Sequence, residues 1–264
     1  MLGTGWTEVV ALLAAFVIAV IASPAGISGA VLLLPFQVGV LGTPSPAVTP
    51  TNLLYNVVAT PGAIYRYWRQ GQTGGRLTRL LISGSLPGVV IGSIIRVELL
   101  PGARVFDLVV GAVLTPLGAW IAVSQPDPQA RPVRSGNSPA SFLLIVLAAA
   151  VGCVGGIYGI GGGSILAPIL IGSGRSPAEV APAALASTFV TSVAGVVTFT
   201  VLSIHQHAHI APDWPTGIAL GIGGLAGAYT GARVQSRLPD LLIRRVMGVL
   251  VLAIGIRYLL LGAG

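Results

Sequence analysis

Glycine, serine, threonine and asparagine are the residues of this chain placed to do chemistry, because formal charge is scarce. The chain has 14 basic and 7 acidic residues, and every basic residue is Arg. Residues 159–168 read Gly-Ile-Gly-Gly-Gly-Ser-Ile-Leu-Ala-Pro, and residues 26–35 read Gly-Ile-Ser-Gly-Ala-Val-Leu-Leu-Leu-Pro. A glycine-rich turn that opens a helix exposes unpaired backbone N–H groups at the positive end of the helix dipole. Glycine also lets a ligand or a second backbone come close. A polar helical stretch follows each turn: Thr49, Thr51, Asn52, Asn56 and Thr60 after the first, Ser187, Thr188, Thr191 and Ser192 after the second. Uncharged donors of this kind suit a small anion that must be held and then released. The expected substrate-binding residues are Ser28, Gly29, Asn52, Tyr158, Gly161, Gly162, Gly163, Ser164, Thr188 and Thr191. Helix packing by small residues, with routine Ser, Thr and Asn bonds between helices, is the plainer reading. Duplication of the motif inside a broken apolar region favours a site.

What is missing narrows the chemistry. No Asp, Glu or Lys falls in the middle of an expected helix; Glu98 and Asp107 lie near a loop. That argues against a carboxylate proton relay or Na⁺ site. No pair of inward carboxylates and no His-Glu-x-x-His motif is present, so no catalytic residue is expected. Cys153 is the single cysteine, which excludes an internal disulfide and a Cys-x-x-Cys pair. His205, His207 and His209 alternate in a loop whose simpler reading is solvation, so neither a metal site nor a cofactor is expected. The Gly159–Ser164 segment has no strand before it and no βαβ unit around it, which rejects a dinucleotide fingerprint. The basic charge lacks the aromatic interleaving of a nucleic-acid surface.

The elements that must position these residues follow from composition. Hydrophobic residues make up 54% and charged residues 8% of the chain. The fold class is an all-α polytopic membrane protein. Residues 1–123 and 141–264 form two transmembrane repeats, joined by the polar, Pro-rich linker 124–140. Each repeat opens with a long apolar region broken at the glycine motif, 6–41 and 141–172. Three plain helices follow, near 47–65, 78–95 and 105–123, and near 178–203, 214–232 and 241–261, for about 10 helical segments. The broken regions are too long for one span, and arms of about 13–18 residues predict a hairpin. Glycines spaced by four (84, 88, 92 and 223, 227, 231) predict close helix packing. The first 22 residues lack a basic n-region and read as mature protein.

Arginine positions give the expected topology. Arg66, Arg69, Arg76 and Arg79 lie between the first two plain helices, and the matching second-half loop has none. The next loop reverses the bias, with Arg96 and Arg104 against Arg233, Arg237, Arg244 and Arg245. Placing the arginine-rich loops and the linker in the cytoplasm requires the broken region 141–172 to return to the side it left, and its counterpart 6–41 is read the same way. The two repeats are then inverted relative to each other.

The stretch Gly156-Ile-Tyr-Gly-Ile-Gly-Gly-Gly-Ser-Ile-Leu-Ala-Pro168 and its echo Pro24–Pro35 resemble the TauE/SafE family of bacterial membrane transporters. The Ser-Pro-Ala at 45–47 and at 176–178 is similar too. The likeness extends over both halves; the first motif departs from the family's Gly-Gly pair with Ser28-Gly29. The resemblance implies a secondary transporter in the bacterial inner membrane, multi-pass in the lipid bilayer, that moves sulfite or a small organosulfonate such as sulfoacetate. A different small oxyanion or a carboxylate as substrate, an integral-membrane enzyme, and a scaffold protein are the alternatives. The pattern sets no oligomeric state.

Overall fold

Apolar runs of this length need their backbone groups satisfied inside the segment, and the chain meets that need with helices. The computed structural model describes residues 4–43, 47–72, 75–99, 103–123, 139–206 and 210–263, all of whose regular structure is helical. The first half contains α1 (Thr4–Ala22), a 3-10 turn (Ser23–Ala25), α2 (Ala30–Gly39), α3 (Val48–Arg69), α4 (Gly75–Glu98) and α5 (Ala103–Val123). The second half contains α6 (Pro139–Tyr158), α7 (Gly162–Gly172), α8 (Pro177–Gln206), α9 (Trp214–Gln235) and α10 (Asp240–Ala263). Starts follow local chemistry. Proline opens α6 and α8, where its missing N–H costs nothing. Asp213 caps α9, accepting from the Thr216 amide at 3.2 Å and the Thr216 hydroxyl at 2.7 Å.

Among the described residues, four stretches are long and apolar enough to cross a membrane: Glu8–Ala25, Gly75–Glu98, Ser141–Tyr158 and Pro177–Ile204. The expectation of an all-α polytopic membrane protein holds. The hairpin arms differ from expectation in being unequal. The outer arms α1 and α6 have 19 and 20 residues, while the inner arms α2 and α7 have 10 and 11. Helix α6 runs on through Gly152 and Gly156 because both are packed against α4, at Ser85 and Val89. It stops only at Gly159, where φ is +73°.

The pairing of helices repeats between the halves. Helix α4 packs on α6 as α9 packs on α1, and α4 packs on α8 as α9 packs on α3. Helix α5 packs on its counterpart α10, and α3 on its counterpart α8. The spaced glycines make two of these contacts. Gly84, Gly88 and Gly92 face the carbonyls of Ile145, Ala149 and Cys153 in that order, so α4 and α6 run parallel. Gly223, Gly227 and Gly231 face Leu12, Phe16 and Val20 in the same way, so α9 and α1 run parallel. The third contact was not foreseen. Gly111 and Gly118 of α5 meet Leu259 and Leu252, and Gly255 and Gly248 of α10 meet Thr115 and Ala122, an antiparallel pair.

Apart from Arg237, the described arginines assigned to loops lie inside helices, and two of them are cut off from solvent. Arg96 in α4 and Arg244 in α10 are fully buried. Arg244 donates to the carbonyls of Ile171 and, at 2.7 Å, Arg175. These carbonyls belong to the end of α7 and the turn after it, where the last helical C=O groups have no partner within the helix and a cation is favoured. The linker 124–138 with Arg131 and Arg134, the histidines His207 and His209, and the Ser45-Pro46 pair lie outside the described residues. So do the side chains of Arg104, Asp107 and His205.

Candidate functional site

Each half-length helix begins where the chain makes a left-handed step. Gly26 and Gly159 occupy matching positions and have φ of +74° and +73°. Neither tolerates a side chain: a Cβ would fall 2.6 Å from the Ala181 Cα at Gly26 and on the Thr49 carbonyl at Gly159. The second turn has a further left-handed residue, Gly161, with φ of +72°. These steps turn the starts of α2 and α7 towards each other inside the bundle.

The two turns meet through hydroxyl groups. The Ser164 hydroxyl donates to the Ser28 hydroxyl at 3.0 Å, and the Ser28 amide donates back to Ser164 Oγ at 3.4 Å. Thr188 of α8 joins them, 3.3 Å from Ser164 Oγ. The Gly162 amide donates to Thr191 Oγ1 at 3.2 Å, and that hydroxyl donates to the Ser187 carbonyl at 2.8 Å. Ser187 in turn pairs with Ser85 of α4, hydroxyl to hydroxyl at 2.9 Å. The Gly29 amide is met by the Tyr55 hydroxyl. All of these side chains are buried.

Ser28, Ser164, Thr188, Gly161, Gly162 and Thr191 are therefore brought into one neighbourhood. Tyr158 ends α6 beside it and is buried. Asn52 stands apart: its amide donates to the Ala30 carbonyl and accepts from Gln37, both at 2.9 Å, which ties α3 to α2. Gly162 and Gly163 are not an open cradle in this conformation. A Cβ on Gly162 would lie 2.5 Å from Ser85 Cβ, and one on Gly163 would meet the Ala184 carbonyl.

Sequence reasoning missed Gln37, Tyr55 and Ser85. Gln37 is the one polar side chain in the α2 sequence, and it is fully buried. A lone amide in an apolar half-helix was the available signal. Tyr55 lies between Asn52 and Asn56 in a run read only for its Thr and Asn side chains. Several buried polar atoms have no protein partner: Gln37 Oε1, Ser192 Oγ, and both Oδ1 and Nδ2 of Asn56. Unmatched buried polar groups are rare, and each calls for a physical reason. The arrangement presents two converging helix-dipole positive ends, hydroxyls that can donate or accept, and no formal charge among the residues named. It can hold an anion by neutral hydrogen bonds that exchange easily. Among the described residues no group of three or more His, Cys, Asp or Glu is placed to hold a metal ion.

Comparison with known proteins points the same way. The family model described as sulfite exporter TauE/SafE matches residues 11–258. A probable membrane transporter protein of Sinorhizobium fredii is 24% identical over 257 residues, covering 96% of this chain and 99% of that protein. One from Bacillus subtilis is 25% identical over 243 residues, covering 88% and 92%. One from Methanocaldococcus jannaschii is 32% identical over 116 residues, 42% of each chain. No solved structure matches the chain.

Proposed function

The chain belongs to the sulfite exporter TauE/SafE family, and on that premise we propose that it carries sulfite or a small organosulfonate, such as sulfoacetate, across the plasma membrane by alternating access. It is a multi-pass membrane transporter, not an enzyme. The observation that carries the substrate class is the meeting of the α2 and α7 starts at Ser28, Ser164 and Thr188. A sulfonate or sulfite group offers three oxygens that accept from N–H and O–H donors. Helix N-termini favour negative charge without fixing it as tightly as an arginine would.

Alternating access needs two repeats that can rock about the site. Inversion of the repeats is supported by the antiparallel course of α5 and α10, which hold equivalent places in the two halves. It is supported too by α3 and α9 running parallel: Leu54, Val58 and Gly62 meet Gly217, Gly221 and Leu225 in that order. Both directions support a second broken hairpin that returns to the side it enters, and the parallel course of α1, α3 and α9 supports the same for the first.

The test is binding and flux on purified protein. Sulfite, sulfoacetate, sulfate, taurine and short carboxylates are compared by thermal stabilisation and by uptake into proteoliposomes. A true ligand at 100 times its Kd stabilises by about 2.7 kcal/mol. Stabilisation and flux with carboxylates alone would reject the sulfur-anion reading. Topology is checked with Arg69→Cys, Arg237→Cys and Trp214→Cys in a Cys153→Ser background. The first two should label from one side and the third from the other.

A further inference from the structure

A cavity of about 470 Å³ opens between the C-terminal end of α3, the N-terminal end of α4 and the first turns of α8. Its wall includes Ile64 and Tyr67 of α3, Thr78 and Arg79 of α4, and Pro182 and Ala186 of α8. This is the end of the bundle that carries Arg66, Arg69, Arg76 and Arg79. Its volume falls in the range of small-molecule sites, well above what one small anion needs.

On α3 and α4 the faces that form the cavity carry polar residues further inward, and on α8 a polar residue adjoins the cavity wall in sequence. On α3, Ile64 shares a face with Thr60 and Asn56, four and eight residues earlier, so Asn56 lies about 12 Å deeper. On α4, Thr78 shares a face with Ser85, seven residues on. On α8, Ala186 precedes Ser187, whose hydroxyl pairs with Ser85 at 2.9 Å. Ser187 also accepts from Thr191, the partner of the Gly162 amide. These polar residues therefore lead from the cavity to the second turn. Asn56 stands along them fully buried, with neither its oxygen nor its nitrogen bonded to protein. An amide left unmatched in the interior is a standing penalty that a bound ligand removes.

We propose that this cavity is the mouth of the substrate path on the arginine-rich side, with Arg79 recruiting the anion and Asn56 as a substrate ligand. The proposal rests on the anion-transport reading above and adds the route and two residues to it. Arg79 is exposed on the cavity wall, so its pull on an incoming anion acts through solvent and is screened by salt. Asn56 offers Nδ2–H to an anion oxygen and Oδ1 to a protonated or hydroxylated one.

Two variants separate a ligand role from a structural one. Asn56→Leu replaces an unmatched polar group with an apolar one of similar size. The ligand-free melting temperature should stay or rise, while the stabilisation by sulfite and sulfoacetate is lost and uptake falls at least tenfold. A drop in melting temperature with the sulfoacetate shift retained would make Asn56 a packing residue and overturn its role. Asn56→Ser, which keeps a donor, should retain part of the shift and serves if the leucine variant does not fold. Arg79→Gln should raise half-saturation for sulfoacetate about 3- to 10-fold at low salt, converging with wild type at high salt; Arg79→Lys should behave as wild type. Ala186→Cys in a Cys153→Ser background should react with a membrane-impermeant thiol reagent from the arginine side only and be protected by sulfoacetate. Labelling from the other side, or none, overturns the mouth. If Arg79→Gln sheds a co-purifying phospholipid and leaves uptake unchanged, the cavity is a lipid site and the proposal fails. A wild-type protein that ignores every sulfur anion sinks the transport reading instead. Wild-type uptake with indifferent variants sinks only this one.

Discussion

At Gly29 the amide that opens α2 is met by a tyrosine hydroxyl, and at Gly162 the amide that opens α7 is met by a threonine hydroxyl. The residues that make room differ accordingly. Gly224 of α9 leaves space for the Tyr55 ring, while at the matching place on α4 stands Ser85, which lies against Gly162. The first turn needs one left-handed glycine, Gly26, and the second needs two, Gly159 and Gly161. Ser28 holds in the first repeat the place that Gly161 holds in the second. The duplicated elements thus keep the left-handed step at Gly26 and Gly159, while the rest of each turn and the groups that satisfy it have diverged. The first turn is supported by a large side chain from a neighbouring helix, the second by its own backbone freedom and small hydroxyls.

The largest effect should come from Gly159→Ala. It combines a left-handed penalty with a clash on the Thr49 carbonyl, together about 2–5 kcal/mol. Folded yield by size-exclusion chromatography should collapse. Gly161→Ala should cost less, because its new Cβ meets movable groups, Thr188 Cγ2 at 2.9 Å and Ser192 Oγ at 3.0 Å. Ser28→Gly, at the equivalent position of the first turn, should preserve the fold. Equal losses at Gly161 and Ser28 would erase the asymmetry between the turns.

Next in size are the two hydroxyls that meet the helix starts. Tyr55→Phe and Thr191→Val each leave a buried amide unmatched, at about 1–3 kcal/mol. Melting temperature should fall in both. If only one variant is destabilised, the two helix starts are not equivalent in energy.

The bond that joins the turns should be worth less. A double-mutant cycle on Ser28→Ala and Ser164→Ala should return a coupling of about 0.5–1.5 kcal/mol. A coupling of zero would mean the turns are neighbours without mutual support. Smallest of all should be Glu8→Gln and Glu98→Gln, which lie towards helix ends, one in each outer region of the first repeat. Uptake should change by less than tenfold, about 1.4 kcal/mol in barrier height. A larger loss would reveal a coupling group that the uncharged site lacks.

Much of the fold was legible because membrane helices advertise themselves. Apolar runs located every helix, and the broken segments stood out by their glycine and proline content. The spaced glycines of α4 and α9 were readable as packing surfaces, since a period of four keeps one face bare. The α5–α10 contact was harder: its glycines recur every seven residues and are fewer. The inner arms were misjudged in length because the helices before them run on to Ala22 and Tyr158, while α2 and α7 end at Gly39 and Gly172. Arg244 was misplaced because a sequence shows a charge and not the carbonyls waiting for it, and Arg96 because its burial depends on neighbouring helices. At the site, Ser28, Ser164 and Thr188 were legible from the turns themselves. Gln37, Tyr55 and Ser85 were not, since each is made relevant by a contact with another helix.

The two ends of α7 are held with unequal strength. Its far end is clamped by the Arg244 guanidinium, a charge-assisted contact, while its near end touches Ser28, Thr188 and Thr191 through neutral bonds of 3.0–3.4 Å. If the helix moves, the arginine contact is the natural pivot and the near end the free tip. It has 11 residues, so it is about 16 Å long. A swing of about 10° about that pivot carries the tip roughly 3 Å, the length of one hydrogen bond. Under the proposed transport function, such a swing would let the tip exchange protein hydroxyls for anion oxygens while every bond within the helix stays intact.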